Sequence, residues 1–349
     1  MFRFDSDYLE GAHPLIIKRL AETNLEQTIG YGCDPHCERA VMLIKEACNA
    51  PESDVHFLVG GTQTNTTVIS AVLRPHQGVI CAESGHINVH ESGAIEATGH
   101  KVLSLPSADG KLTAESIKSC YDSHWNDPTH EHMVQPAMVY ISFPTEKGTL
   151  YSKTELSDIF NVCKKCGLIL YIDGARLGYG LAADGCDLTL PDIAALCDVF
   201  YIGGTKVGAL FGEALVICNN SLKKDFRYFI KQKGGLLAKG RLLGIQFETL
   251  FEDGLYNKIS VHAINAAKRI RNIFEDHGCR FLSESETNQQ FPILKNSEIE
   301  KLLSEFSFET WCEINETESA VRFCSSWATT DESLDALEKA VKNLNGRNK

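Results

Sequence analysis

The chain has 349 residues, of which 43% are hydrophobic and 23% are charged, and its formal net charge is −12. These values are typical of a soluble globular protein with one or two domains. The negative charge and the lack of a Lys/Arg block argue against nucleic acid as a partner, and no apolar run approaches the ~20 residues that span a bilayer. Because the first residues lack an apolar signal core, we expect a cytoplasmic protein.

Seven short apolar segments predict the strands of a sheet. Amphipathic segments such as 113–123 and 153–166 lie between most of them, as expected for helices. Strands that alternate with helices favour an α/β fold with a mainly parallel sheet covered on both faces. The predicted strands are 55–59, 79–82, 101–105, 138–142, 168–173, 199–203 and 214–218.

The pattern changes after residue 219. Helical stretches are predicted at 222–252 and 256–277, short strands at 291–294 and 320–324, and a closing helix at 331–344. This order indicates a second, smaller α+β domain. We therefore predict a large α/β domain over 1–250, including the N-terminal segment, and a small domain over 251–349.

The thirteen cysteines have irregular spacing, and reduced thiols are expected. The pair Cys163 and Cys166 lies in a helical pattern, where a redox role is the less favoured interpretation. The segment 33–37 reads CDPHC but lacks a second ligand pair at structural zinc spacing. His86 and His90 are four residues apart and could bind a metal on a helix, although a surface role is as good an explanation. No metal site is predicted.

Ligands of open α/β sheets bind at the carboxyl ends of the strands. Four kinds of group follow the predicted strands: Gly60-Gly61-Thr62, then His86, then Asp173, then Lys206. Each has an ordinary structural explanation when it is taken alone. A Gly-Gly turn often precedes a helix, and Asp173 could pair with Arg176. Four such groups in order, each after its own strand, are much harder to attribute to chance.

Together these groups meet the needs of pyridoxal phosphate. Glycines at a helix start can hold its phosphate, a carboxylate can keep the pyridine nitrogen protonated, and an imidazole can stack on the ring. Lys206 stands in the otherwise uncharged run 199–212, where an ammonium is costly to bury. Covalent attachment to the cofactor aldehyde would remove that charge.

Nearly the whole sequence resembles the threonine aldolase branch of the β-eliminating lyases, which are pyridoxal-phosphate enzymes of fold type I. The most specific segment is TEKGTLYS at 145–152. The other matching segments are SD at 6–7, GYGCDP at 30–35, VGGTQTN at 59–65, IDGARL at 172–177, GGTKVG at 203–208, GEALV at 212–216, KQKGGLLAKGRLL at 231–243, TNQQF at 287–291 and RFCSSW at 322–327.

The resemblance implies a role for each matching position. Lys206 would attach the cofactor, His86 would stack on its ring, Asp173 would bind the ring nitrogen, and Gly60, Gly61 and Thr62 would hold the phosphate. Ser6, Arg176 and Arg322 would bind the substrate α-carboxylate, and Arg176 would also contact the cofactor. Basic residues of the 231–241 stretch, Lys231 and Lys239 among them, would reach a phosphate across the interface of a homodimer or homotetramer.

Three positions depart from the pattern of many relatives. Val207 replaces an asparagine after the lysine, and Tyr8 replaces a small polar residue. Glu146 stands where some aldolases have a histidine near the substrate hydroxyl. The first two bear on substrate preference, and the third bears on the identity of the proton acceptor.

The implied reaction is the retro-aldol cleavage of L-threonine, L-allo-threonine and related β-hydroxy-α-amino acids to glycine and an aldehyde. His86, directly or through water, or else Glu146, would accept the hydroxyl proton. Two alternatives stay open: β-elimination or transamination on the same fold, and a pyridoxal-phosphate-binding protein without turnover. A nicotinamide dehydrogenase is disfavoured because the G-x-G-x-x-G fingerprint is missing.

Overall fold

The computed structural model describes residues 1–344, which form a large sheet, a small sheet and one further pair of short strands, together with the helices that pack against them. The strands are β1 (Phe2–Arg3), β2 (Asp54–Leu58), β3 (Gln77–Ala82), β4 (Lys101–Leu105), β5 (Gln135–Ser142), β6 (Ile169–Asp173), β7 (Val199–Gly203), β8 (Glu213–Ile217), β9 (Arg280–Phe281), β10 (Gln289–Gln290), β11 (Pro292–Lys295), β12 (Phe306–Ser307), β13 (Glu309–Asn315) and β14 (Glu318–Cys324). The α-helices are α1 (Pro14–Glu22), α2 (Pro35–Ala47), α3 (Gly61–Val72), α4 (His86–Val89), α5 (Ala114–Trp125), α6 (Lys153–Cys166), α7 (Leu177–Leu181), α8 (Leu190–Ala195), α9 (Phe226–Gln232), α10 (Arg241–Phe251), α11 (Leu255–Asp276), α12 (Asn296–Leu302) and α13 (Asp331–Leu344).

The large sheet has seven strands in the order β2-β8-β7-β6-β5-β3-β4. β8 runs antiparallel to both of its neighbours, and the other pairs are parallel. All seven predicted strands are present, with ends that differ by a few residues. The predicted α/β class with a mainly parallel seven-stranded sheet is therefore confirmed.

Alternate residues of the central strands pack into two different cores. In β7, Phe200 and Ile202 belong to the core on one face, whereas Val199 and Tyr201 belong to the core on the other. All five residues of β7 are buried. Burial of one such side chain contributes about 1.5–3 kcal/mol, so the uncharged run that precedes Lys206 is explained by packing on both faces.

The small sheet lies in the C-terminal part of the chain. β14 pairs with β10, β11 and β13, and β11 also pairs with β9. The N-terminal strand β1 pairs with β12, and Phe4 belongs to the core of this region. Helix α11 joins the two parts of the molecule, because Ile259 packs in the large core and Phe274 in the small one.

The boundary at residue 250 falls near the end of α10 and stays a prediction, and residues 345–349 of the predicted small domain lie outside the described part. One predicted helix is wrong: 222–252 contains two helices, α9 and α10, with a loop between them. Gly234 in that loop has φ +75°, which a helix does not allow. The exposed strand β13 was not predicted.

Candidate active site

A cavity of about 550 Å³ lies at the carboxyl ends of the parallel strands, a volume that suits a small ligand. Eight of the predicted site residues line it: Gly60, Gly61, Thr62, His86, Asp173, Arg176, Lys206 and Arg322. The topology explains this meeting, because parallel strands direct their carboxyl ends to one edge of the sheet.

One wall of the cavity is the start of α3. Gly60 is the N-cap residue and supplies no side-chain capping bond, so the first backbone N–H groups of the helix face the cavity without a side-chain acceptor. A Cβ atom on Gly60 would meet nothing within 4 Å, and one on Gly61 would lie 3.0 Å from the Tyr201 hydroxyl. An uncapped helix start of this kind fits a phosphate.

Asp173 stands at the end of β6 and is only 4% exposed. Its Oδ2 accepts hydrogen bonds from the Tyr140 hydroxyl (2.6 Å) and from Asn65 Nδ2 (3.2 Å). Its Oδ1 accepts from the Tyr201 hydroxyl and from the backbone N–H of Ala175 (3.0 Å). Burial, followed by the charge of Asp173, raises the pKa of both phenols well above the ordinary value, so both remain donors.

A chain of hydrogen bonds joins Asp173 to His86. Asn65 Nδ2 donates both to Asp173 and to Glu91 Oε1 (2.6 Å), and the same Glu91 oxygen lies 2.8 Å from His86 Nδ1. Sequence reasoning did not identify Asn65, Glu91 or Tyr140. Asn65 lay in a matching segment, but its role depends on which residues surround it after folding.

Lys206 follows β7 and is half-buried in the cavity wall. Burial, and next the positive charge of Arg176, lowers the pKa of its amine below the ordinary value. A lowered pKa makes the neutral, nucleophilic form of the amine more accessible. Glu213, another residue that sequence reasoning did not single out, lines the same cavity.

Arg176 pairs with Asp7, which corrects the partner considered for it in Asp173. Arg176 Nε lies 2.6 Å from Asp7 Oδ2, and Nη2 lies 3.0 Å from Oδ1. Burial opposes ionisation of Asp7, but the charges of Arg176 and Lys206 outweigh it and hold the pKa of Asp7 below its usual range. Nε and one N–H of Nη2 are committed to Asp7, so a ligand carboxylate could bind Nη1 or the second N–H of Nη2 of Arg176.

Arg322 lies on β14 at the outer side of the cavity. Nη1 donates to Gln289 Oε1 (3.1 Å), and Nη2 donates to the Asp5 carbonyl (3.2 Å) and forms an ion pair with Glu309. Its guanidinium lies 5.3 Å from the ring centroid of Trp311. Glu309 stands directly opposite Arg322 in the β13–β14 pairing. The guanidinium of Arg322 is therefore already paired with a carboxylate of the same chain.

Three predicted residues are not among those that line the cavity. The Ser6 hydroxyl is buried and has no hydrogen-bond partner within residues 1–344. Lys231 and Lys239 are exposed, and Lys231 Nζ lies 4.9 Å from the ring centroid of Tyr31. Within one copy of the chain neither lysine lines the cavity.

The cysteine motifs have structural environments. Burial raises the pKa of the Cys163 thiol to about 12, which disfavours a reactive thiolate. Cys37 is buried with its thiol 3.5 Å from the Gly240 carbonyl, and Cys33 is exposed. In the part of the chain that the structure describes, no group of three or more His, Cys, Asp or Glu residues is placed to hold a metal ion.

Comparison with known proteins places the chain in a family. Residues 4–297 match the beta-eliminating lyase family. The chain belongs to this family. Relatives include a low specificity L-threonine aldolase of Pseudomonas aeruginosa, which is 31% identical over 99% of this chain and 98% of its own length.

Solved structures extend the family comparison. A threonine aldolase from Leishmania major is 46% identical and covers 99% of both chains with a TM-score of 0.96. A histidinol-phosphate aminotransferase from Clostridium acetobutylicum is 16% identical and covers 99% of both chains with a TM-score of 0.73, which shows a shared fold.

None of the helices in residues 1–344 is both long and apolar enough to cross a membrane.

The donor role of Asn65 predicts a pH-dependent loss of stability in Asn65→Asp. This change places a third carboxyl beside Asp173 and Glu91, and burial raises its folded-state pKa above the unfolded value. We expect the free energy of unfolding to fall by about 3–5 kcal/mol at pH 8 and by clearly less at pH 5, where the added carboxyl is protonated. Urea unfolding at both pH values measures the difference.

Asn257→Asp is the matched control, because Asn257 is exposed on α11. Its effect should stay within ~0.5 kcal/mol at both pH values. A loss of stability in Asn65→Asp that is the same at pH 5 and pH 8 would contradict the account of the buried network.

Proposed function

We propose that this chain is a pyridoxal-phosphate-dependent aldolase that cleaves L-threonine, L-allo-threonine and related β-hydroxy-α-amino acids to glycine and an aldehyde. The observation that carries the proposal is that one cavity contains an uncapped helix start, a buried carboxylate, an imidazole and a half-buried lysine. Family membership and the activity for which its relatives are named confirm the expected class of enzyme and its cofactor.

The residues of the cavity fit pyridoxal phosphate. Gly60, Gly61 and Thr62 would hold the phosphate, and Asp173 would hold the ring nitrogen. His86 would lie against the ring, and Lys206 would bind the aldehyde. When bound, the cofactor supplies a ring that accepts the electron pair of a bond broken at the substrate α-carbon.

Arg322, Arg176 and Ser6 are the groups that we assign to the substrate carboxylate. Once Glu309 is displaced, Nη1 and Nη2 of Arg322 can both donate to the substrate carboxylate. Arg176 contributes Nη1. Ser6 precedes Asp7, the partner of Arg176, in the sequence. Its buried hydroxyl has no hydrogen-bond partner within residues 1–344 and could donate one further bond. When the carboxylate is held at two points, the substrate bond that reacts has one fixed orientation.

Two groups of the chain can accept the proton of the substrate hydroxyl. His86 Nδ1 is held by Glu91, so Nε2 is its nitrogen for proton transfer, directly or through water. Glu146 accepts hydrogen bonds from the Ser142 hydroxyl (2.6 Å) and from the backbone N–H of His86 (2.9 Å). Burial raises the pKa of Glu146, which brings it closer to that of an efficient base at neutral pH.

A homodimer or homotetramer in the cytoplasm completes the proposal. Leu25, Ile29 and Tyr228 are exposed by 90%, 72% and 73%. The segments that carry them touch each other, since Arg227 Nη2 donates to the Tyr31 carbonyl (3.0 Å) and Arg241 Nη1 donates to the Glu26 carbonyl (2.9 Å). A second copy seated on this surface could bring Lys231 or Lys239 to the phosphate.

An assay of all four threonine stereoisomers tests the reaction. With the carboxylate and the amine both held, only one enantiomer directs its β-carbon toward His86. We expect glycine and acetaldehyde from L-threonine and L-allo-threonine, with modest discrimination between them because a water can bridge the differently placed hydroxyl. The D-forms should yield no acetaldehyde above background.

Product identification separates this proposal from its alternatives. Keto-acid formation without acetaldehyde would indicate transamination or β-elimination, which release of ammonia in the second case tells apart. Cleavage of the D-forms would contradict the assigned carboxylate contacts.

Glu309→Gln tests the assignment of Arg322. The change removes the internal carboxylate that competes with the substrate, while the half-exposed position of Glu309 limits the gain to ~0.2–1 kcal/mol. We expect KM for L-threonine to fall by up to about fivefold with kcat little changed, measured by steady-state acetaldehyde formation.

Glu313→Gln is the control, since Glu313 is exposed on the same strand and lies opposite Ser319. Its KM should equal that of the unchanged protein. A KM that rises in Glu309→Gln would mean that the ion pair positions Arg322 rather than competes for it.

A further inference from the structure

The cavity wall contains a buried amide, the side chain of Gln289, that has no part in the proposed reaction. Gln289 lies on the short strand β10, pairs with Cys324 of β14 and is fully buried. Because residues two apart on a strand point to the same face, Gln289 and Arg322 are diagonal neighbours on one face of the small sheet. Both residues line the cavity.

Within the part of the chain that the structure describes, the side chain of Gln289 makes one hydrogen bond, and its partner is Arg322. Oε1 of Gln289 accepts from Nη1 of Arg322 at 3.1 Å. Since a guanidinium can only donate, the amide oxygen must be the atom that faces it. The amide nitrogen therefore points elsewhere, and Nε2 is buried without a partner in residues 1–344.

This pattern links the amide to Arg322 rather than to the stability of the fold. A buried donor without a partner costs free energy, which an apolar side chain of similar length would avoid. The neighbouring Gln290 differs. One of its amide atoms is also unpartnered, but its Nε2 donates to the carbonyls of Ser285 (3.1 Å) and Thr287 (2.9 Å) and so holds the backbone before β10.

Two neutral acceptors and one carboxylate contact the guanidinium of Arg322. Gln289 takes one N–H of Nη1, the Asp5 carbonyl takes one N–H of Nη2 (3.2 Å), and Glu309 pairs with Nη2. The neutral acceptors fix the orientation of the planar group without cancelling its charge. When half-exposed Glu309 is displaced, Nη1 and Nη2 each have one N–H free, which is the arrangement that a carboxylate binds at two points.

We propose that Gln289 is the positioning residue of Arg322, and that its neutral amide oxygen holds the guanidinium in the orientation that receives the substrate α-carboxylate. A carboxylate in its place would also hold the guanidinium but would cancel the charge that attracts the substrate. An apolar side chain would keep the charge but would leave Nη1 free to turn. This inference deepens the proposed function and rests on the assignment of Arg322 to the substrate carboxylate.

Binding of glycine and methylamine to the full-length protein loaded with pyridoxal phosphate tests the proposal, because the two amines differ only by the carboxylate. The absorbance of the bound cofactor reports both. In Gln289→Met we expect Kd for glycine to rise about tenfold, the order of one hydrogen bond to a charged group. Kd for methylamine and the urea midpoint of unfolding should stay close to the wild-type values. In Gln289→Glu, which keeps the shape and the acceptor but adds a charge, Kd for glycine should rise further, again without a matching rise for methylamine.

Gln290→Met is the matched control, because Gln290 is as buried as Gln289 but does not line the cavity. It should lower the urea midpoint, since two carbonyls lose their donor, and leave the ratio of the two Kd values unchanged.

A folded Gln289→Met or Gln289→Glu protein that keeps the wild-type ratio would overturn the proposal, since a residue that only packs the small sheet would move both Kd values or neither. If Gln289→Met does not fold, the Gln289→Glu result decides alone. A retained ratio would leave the proposed reaction standing. A wild-type protein that binds glycine no more tightly than methylamine would instead contradict the assignment of Arg322, and this inference with it.

Discussion

The central constraint of the site is the buried carboxylate of Asp173. A carboxylate this far from water must be surrounded by donors, each worth about 1.5–3 kcal/mol when it bonds to a charge. The donors come from elements on every side: Tyr140 from β5, Tyr201 from β7 and Asn65 from α3. Their bonds fix the ends of the neighbouring strands and the helix start at Gly60 relative to one another.

The same network extends to the imidazole ring of His86. Asn65 donates hydrogen bonds to both Asp173 and Glu91, and Glu91 is hydrogen-bonded to Nδ1 of His86. The side-chain amide of Asn65 thus contacts both the carboxylate of Asp173 and the glutamate that orients the imidazole of His86. The group that we propose to stack on the cofactor and the group that we propose to bind its nitrogen are positioned together, which limits the movement of either.

The cations of the cavity are each balanced in a different way. Arg176 is paired with buried Asp7, Arg322 is paired with half-exposed Glu309, and the pKa of the Lys206 amine is lowered by burial and by the charge of Arg176. The buried pair shapes the site, the half-exposed pair can open to a substrate carboxylate, and the lysine can lose its proton. Differences in burial therefore separate structural from exchangeable charges.

The sequence was sufficient to predict the fold and eight of the residues that line the cavity, because parallel strands bring their carboxyl ends to one edge. It was not sufficient to predict the contacts of Asn65, Glu91 and Glu213, because these depend on which residues the folded chain brings next to them. The pairing of Arg176 with Asp7 was not predicted for the same reason, since Asp7 is 169 residues away. The helix predicted at 222–252 failed because the glycine at 234 ends the helical conformation.

Lys206 is the residue that we propose to bind the cofactor. Borohydride reduction of the protein loaded with pyridoxal phosphate, followed by proteolysis and mass spectrometry of the peptides, tests this directly. We predict one pyridoxyl adduct per chain, on Lys206. An adduct on another lysine, such as Lys231 or Lys239, or no adduct at all, would contradict it.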